Sequence, residues 1–311
     1  MLGAAAGGLW LLREKVLFPQ PRPAFDPEIG GSGWLPLAPD LLVPVVEAQV
    51  NGERVRALVD SGAQATVVSR ELAERLKLMD AFSVPVVAFG VSGAPQTGRG
   101  ASLQVTLGGL TLAGLRAVAL DLSPLAALRG EGPPLGLVIG QDVLRTVVLD
   151  LDLPRDRLSL QSPDVHTPAP GSQEMPARTR GKELYTNVTV EGVAVEVAID
   201  TGLSSALALS EDLARSIGLL GADRASRSTR SITFGGASIG REVLADRLEV
   251  GGRVLRRAPV SVYARKPPSL LPAGLLGSGA LRRTRAVLDL GRGRFLLAPD
   301  AVDVQLRRRL G

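Results

Sequence analysis

At 311 residues with 45% hydrophobic content, the chain can pack either one large core or two modest ones. Only 3% of residues are aromatic, which argues against base-stacking surfaces, and the net charge of +5 comes from scattered arginines, so no nucleic-acid partner is expected. Cysteine is absent and His166 is the single histidine, which excludes thiolate, Ser-His-Asp and His-cluster metal chemistry and leaves carboxylates to carry any hydrolytic reaction.

The N-terminal run Met1 to Leu12 is apolar but too short to span a membrane, and no basic residue precedes it. It leaves a membrane tether or export as open as a cytoplasmic location. Residues 18–40 are rich in Pro and Gly and read as linker, so 1–40 forms an N-terminal segment outside the expected lobes. From Val45 the pattern changes. Val45 to Val50, Asn51-Gly52 and Glu53 to Val59 read as strand, tight turn and strand, ending at Asp60-Ser61-Gly62. Ser69 then opens a short helix with acid in its first turn. Later come Phe89-Gly90, Leu107-Gly108-Gly109, Leu137-Val138-Ile139-Gly140 and Val148-Leu149-Asp150.

The same series then repeats. Leu184 to Val190, Glu191-Gly192 and Val193 to Ile199 lead to Asp200-Thr201-Gly202, with Val50, Gly52, Val55 and Asp60 matching Val190, Gly192, Val195 and Asp200. Ser210 opens the second helix, and Phe234-Gly235, Val250-Gly251-Gly252, Gly274-Leu275-Leu276-Gly277 and Val287-Leu288-Asp289 follow in order. The expected organisation is two duplicated lobes, 41–160 and 182–300, joined by a Pro-rich linker at 161–181 and followed by a basic tail at 301–311. Each lobe should be mainly β, with one or two short helices. Asp150, Asp152 and Asp289 read as caps of strands or turns rather than metal ligands.

A lone Asp-Ser-Gly or Asp-Thr-Gly is an ordinary turn tripeptide, because Asp bonds nearby N–H groups and Gly takes positive φ. Two copies at matched positions, each after an apolar strand and each answered by an apolar-apolar-Gly element, carry more information. Val59-Asp60-Ser61-Gly62-Ala63 and Ile199-Asp200-Thr201-Gly202-Leu203 resemble the active-site motifs of retropepsin-like aspartic proteases. Val138-Ile139-Gly140 and Leu276-Gly277 resemble the hydrophobic-hydrophobic-Gly element that supports those loops. Leu203, where the family usually has a small residue, and Ala206, opposite Thr66, depart from the first copy.

The resemblance implies two closed-barrel lobes in one chain, a monomer that is its own pseudo-dimer. It implies that Asp60 and Asp200 share one proton between them and activate water against a polypeptide substrate, with no metal or organic cofactor. It implies that Ser61 and Thr201 brace the dyad across the two loops, while Gly62 and Gly202 permit the loop geometry. It also implies flap hairpins over the substrate, with Phe89, Gly90 and Val91 as candidates in the first lobe and Phe234, Gly235 and Gly236 in the second. An inactive peptide-binding protein on the same scaffold is the competing reading.

Overall fold

A computed structural model describes residues 19–39, 41–78, 86–88, 96–128, 132–221, 224–233, 236–264 and 272–298. In chain order these form β1 (Pro23–Phe25), β2 (Leu35–Pro36), β3 (Val45–Val50), β4 (Glu53–Val59), β5 (Val67–Ser69) and helix α1 (Arg70–Arg75). Next come β6 (Val86–Ala88), β7 (Gln96–Leu107), β8 (Leu110–Leu120), β9 (Leu135–Ile139), α2 (Gln141–Leu144), β10 (Val148–Asp152) and β11 (Arg157–Gln161). The second half runs β12 (Gln173–Met175), β13 (Ala177–Arg180), β14 (Glu183–Val190), β15 (Val193–Asp200), β16 (Leu207–Ser210) and α3 (Glu211–Ser216). It ends with β17 (Ser226–Thr233), β18 (Gly236–Val250), β19 (Arg253–Tyr263), β20 (Gly274–Gly277), α4 (Ser278–Leu281), β21 (Arg285–Asp289) and β22 (Arg294–Leu297).

The two hairpins that deliver the Asp motifs form for the same local reason. Asn51 and Gly52 take φ of +49° and +86°, and Glu191 and Gly192 take +51° and +86°. Positive φ at both central residues matches the twist of the flanking strands, which pair in register from Val50↔Glu53 and Val190↔Val193. Alternation then puts Val46, Ala48, Val50, Val55, Ala57 and Val59 inside the first lobe, all nearly or fully buried, with Val188, Val190, Val195, Val197 and Ile199 as their counterparts. Each valine or isoleucine so buried contributes roughly 1.5–3 kcal/mol of transfer free energy.

Each lobe closes on itself. In the first, strands β8-β5-β9-β4-β3-β7 lie side by side and β7 pairs back to β8, closing a six-stranded barrel. In the second, β14-β15-β20-β16-β19-β18 closes through β14 and β18 in the same way. The chain is mainly β, with two barrels of matching strand order and short helices, as the repeat implies. Ser69 and Ser210 cap α1 and α3, their hydroxyls accepting from Leu72 N and Leu213 N.

A third sheet, β12-β22-β21-β10-β11-β2, joins the halves. At its centre β10 and β21 pair antiparallel from Leu149↔Leu288 to Asp152↔Arg285. The Pro-rich segments read as linkers supply strands around this frame. β1 pairs with β8, β2 with β11, β12 with β22 and β13 with β14. Short edge strands need few hydrogen-bond donors and therefore tolerate Pro-rich composition.

Asp150 is also different from its expected capping role. It is fully buried, receives Arg285 Nε at 2.7 Å and Arg285 Nη2 on its two oxygens, and has His166 Nε2 3.7 Å away. Asp152 is likewise buried and pairs with Arg155 and Arg157. Asp289 does cap a turn, accepting from Arg292 N at 2.9 Å. Among the described residues no helix is long and apolar enough to cross a membrane; the N-terminal run and the basic tail lie outside them.

Candidate active site

Each Asp motif sits where a parallel strand pair ends. β4 runs parallel to β9, and β15 parallel to β20, so the apolar-apolar-Gly strand of each lobe lies directly beside its Asp strand. Asp60 N donates to Ile139 O at 3.0 Å, and Ala63 N closes the turn on Asp60 O at 3.3 Å. Gln141 N then donates to Ala63 O at 2.8 Å. The second loop repeats this wiring, with Leu203 N on Asp200 O at 3.2 Å and Ser278 N on Leu203 O at 2.8 Å. The larger Leu203 side chain leaves the loop's backbone bonds unchanged. It packs beside Tyr185, Ala198, Ala208 and Leu275.

The loops of the two lobes meet and grip each other. Thr201 Oγ1 accepts from Ser61 N at 2.9 Å and donates to Val59 O at 2.7 Å. Reciprocally, Ser61 Oγ accepts from Thr201 N at 3.0 Å and donates to Ile199 O at 2.8 Å. Each hydroxyl thus makes two bonds to the opposite lobe. Both residues are buried, so the exchange leaves none of these groups to water.

This grip brings Asp60 and Asp200 face to face, with their carboxyls within hydrogen-bonding reach of each other. The glycines are required by that approach. A Cβ on Gly62 would stand 2.7 Å from Asp200 Cγ, and one on Gly202 would stand 2.5 Å from Asp60 Cγ. Gly62 N donates to Asp60 Oδ1 at 2.8 Å and Gly202 N to Asp200 Oδ1 at 3.0 Å.

Burial raises the pKa of both acids above the usual carboxylate range. At Asp60 the N–H of Gly62 and the bond from Asp200 work against that rise. At Asp200 the Asp60 charge and hydrogen bond add to burial, and its pKa stands well above the ordinary value. Like charges in such close contact oppose ionisation of both carboxyls at once, so the two proton equilibria are linked. Paired aspartates in aspartic proteases behave in this manner.

Four residues support the loops from behind, of which sequence reasoning named only Thr66, and that without a role. Gln141 Nε2 donates to Ser61 O at 2.7 Å and Ser278 Oγ to Thr201 O at 2.6 Å. Thr66 Oγ1 donates to Asp142 Oδ1 at 2.8 Å and accepts from Gly140 N at 3.3 Å. Burial holds the Asp142 pKa up, against the bonds from Thr66. The signal in sequence was a polar residue straight after each apolar-apolar-Gly element.

The register also corrects one equivalence. Val67 faces Val138 and Ala208 faces Leu275, so the second loop is one residue longer and Leu207, not Ala206, takes the place of Thr66. Of the flap candidates, Phe89, Gly90, Val91, Phe234 and Gly235 lie outside the described residues. Gly236 opens β18 and pairs with Thr233.

A sequence profile described as Aspartyl protease matches residues 46–143 and again residues 186–280, more than half of the chain. The chain belongs to the aspartyl protease family. Its relatives include DNA damage-inducible protein 1 of Chaetomium globosum, 36% identical over 153 residues that span 48% of this chain and 31% of that one. Another is UBA domain-containing protein Mud1 of Schizosaccharomyces pombe, 30% identical over 162 residues, 51% of this chain and 44% of the relative. The chain spans less than half the length of either relative. Among solved structures, a retropepsin-like aspartic protease from Rickettsia conorii aligns at a TM-score of 0.33 and 22% identity, over 41% of this chain and 89% of its own.

Proposed function

We propose that this aspartyl protease family member is an endopeptidase whose catalytic pair is Asp60 and Asp200. The observation that supports the reading is the reciprocal Ser61–Thr201 exchange, which holds the buried Asp60 and the partly buried Asp200 opposite one another. A water between them would lose its proton to the ionised carboxylate as its oxygen attacks the scissile carbonyl carbon. The protonated partner would donate to the carbonyl oxygen to give a neutral diol. The carboxyl that took the water proton would then protonate the amide nitrogen as the C–N bond breaks, and a diol hydroxyl would return its proton to the other carboxylate, leaving one proton on the pair. Sharing one proton lets the same pair supply the base and the acid. Burial raises the pKa of both acids, which favours retention of a proton by the pair above the ordinary carboxylate range.

The substrate is an extended polypeptide, held between the lobes by added-strand hydrogen bonds. Two equivalent hairpins, β6–β7 and β17–β18, are the flaps that close on it. Lobes 41–160 and 182–300 act as one monomeric unit, each contributing one acid. No cofactor takes part.

Peptide hydrolysis by the purified chain is the test. Asp60→Asn and Asp200→Asn should each lower kcat by about 10²–10⁴-fold, the usual worth of a positioned acid or base. Cleavage at wild-type rates in either variant overturns the assignment. Peptide binding without turnover at any pH in the wild-type chain overturns the enzyme reading as a whole.

A further inference from the structure

The residue after each apolar-apolar-Gly element grips the same part of the neighbouring loop by different chemistry. The carbonyl of Ser61, which Gln141 Nε2 holds at 2.7 Å, belongs to the peptide unit whose other end, Gly62 N–H, donates to Asp60 Oδ1 at 2.8 Å. The carbonyl of Thr201, which Ser278 Oγ holds at 2.6 Å, belongs to the unit whose Gly202 N–H donates to Asp200 Oδ1 at 3.0 Å. A peptide unit is planar, so fixing its oxygen fixes the direction of its N–H. A bond accepted at the oxygen also polarises the unit and strengthens the N–H as a donor.

We infer that Gln141 and Ser278 are positioning residues for the proposed reaction, each acting through one planar peptide unit to aim and strengthen the N–H that binds a dyad carboxylate. The inference rests on the protease reading and deepens it. Neither side chain reaches the acids directly.

Two further observations favour this role over simple packing. Both side chains are fully buried, and their own backbone N–H groups bond Ala63 O and Leu203 O at 2.8 Å, so each holder is pinned to the loop that it grips. In addition, Gln141 Oε1 is buried with no hydrogen-bond partner. An orphaned acceptor costs stability, and a methionine or leucine would fill the space without that cost. The amide is kept for its donor. Amide in one lobe and hydroxyl in the other reach the same carbonyl, so the shared feature is the bond and not the side chain.

The test compares Gln141→Met, Ser278→Ala and Ser278→Thr in the full chain. A weaker donor to a carboxylate favours its protonated form, so the acid limb of the kcat/KM profile should move up. The expected move is about half to one pH unit in Gln141→Met and Ser278→Ala, the size set by one hydrogen bond to a charged group. Ser278→Thr keeps the hydroxyl and should restore the wild-type limb. A merely structural role would lower the unfolding midpoint and leave the limb in place, and that result overturns the inference.

A second readout does not depend on activity. In the wild-type chain the Gly62 and Gly202 amide protons should resonate far downfield and move upfield together as acid protonates the dyad. In Gln141→Met the Gly62 proton alone should start further upfield. Amide protons that neither lie downfield nor follow the titration overturn the inference even in a chain that cleaves nothing, whereas failure of cleavage with these signals intact overturns only the protease reading.

Discussion

The two Asp loops share the turn and cross-lobe bonds that hold the dyad and differ in the bonds one layer out. Both close the Asp turn with the same backbone N–H, both return through the residue after the apolar-apolar-Gly strand, and both send one hydroxyl across to the other lobe. Behind the first loop, Thr66 ties Gly140 N and Asp142 together. Behind the second, which is one residue longer, the Ala206 carbonyl accepts from Gly277 N at 3.1 Å, and Gly279 stands where Asp142 would be. A Cβ on Gly279 would stand 2.6 Å from Ser204 O, so the added residue has used the space that a carboxylate needs. Bonds that set carboxyl geometry are retained in both lobes, while the outer brace can be rebuilt from backbone.

The sheet that joins the lobes shows the same asymmetry more strongly, and it gives the largest expected effect on stability. Asp150 and Asp289 are equivalent in the repeat, yet Asp150 lies wholly buried against Arg285 while Asp289 faces the half-exposed Arg292. Burial alone would raise the Asp150 pKa, but Arg285 and the neighbouring His166 hold it below the ordinary value. Arg285→Met would leave a carboxylate in the interior without its bidentate partner, at a cost of about 3–5 kcal/mol in urea unfolding. Arg292→Met leaves the Arg292 backbone bond to Asp289 in place and should cost about 1 kcal/mol or less. Equal losses at the two sites would break the distinction between a structural pair and a turn cap.

A second comparison sets the dyad against the rest of the core. The Asp200 pKa is well above the usual value because of burial and the Asp60 charge. Between the ordinary carboxylate range and that raised value the unfolded chain has lost this proton while the folded chain retains it. Stability is therefore full below the ordinary range and falls as pH rises through this window. Asp200→Asn removes the penalty, so its unfolding midpoint should exceed wild type at neutral pH and converge on it in acid. A gap that stays constant from acid to neutral pH would show that burial does not set this acid's proton affinity.

Local signals made the duplicated core legible. Asn51-Gly52 and Glu191-Gly192 announced hairpins because their turn needs two residues at positive φ, and alternating valines announced which face is buried. The motif pairs pointed to Asp60 and Asp200 and to their neighbours Ser61 and Thr201, whose hydroxyls bond across the two loops. What sequence did not reveal depends on distant pairing. Nothing local marks β10 as the partner of β21, or Pro23–Phe25 as an edge strand of the first barrel, because both pairings join segments far apart in the chain. The extra residue of the second loop was hidden for a related reason. A fixed spacing of 140 aligns Ala206 with Thr66, although Ser69 and Ser210 already stand 141 apart, and the facing of Ala208 with Leu275 shows that the shift falls before the strand. Gln141 and Ser278 share a place but no chemistry, so a search for repeated residue types passes over them.

A smaller expected effect than that of Arg285→Met probes that hidden shift. Thr66→Val keeps the shape of a fully buried side chain and removes its hydroxyl, so Gly140 N loses its acceptor and Asp142 loses one donor. The loss should be about 1–2 kcal/mol at neutral pH. Asp142 already has a raised pKa from burial, and removing a donor raises it further. The stability gap to wild type should therefore narrow as pH falls towards the ordinary carboxylate range, where Asp142 is protonated in both proteins. Leu207→Thr, the reverse change at the equivalent position, meets no carboxylate at Gly279 and instead puts a hydroxyl into the second barrel's core. It should destabilise at every pH by a similar amount. A pH-independent loss for Thr66→Val, or a gain for Leu207→Thr, would mean that the outer brace works alike in both lobes and that the shifted register has no energetic consequence.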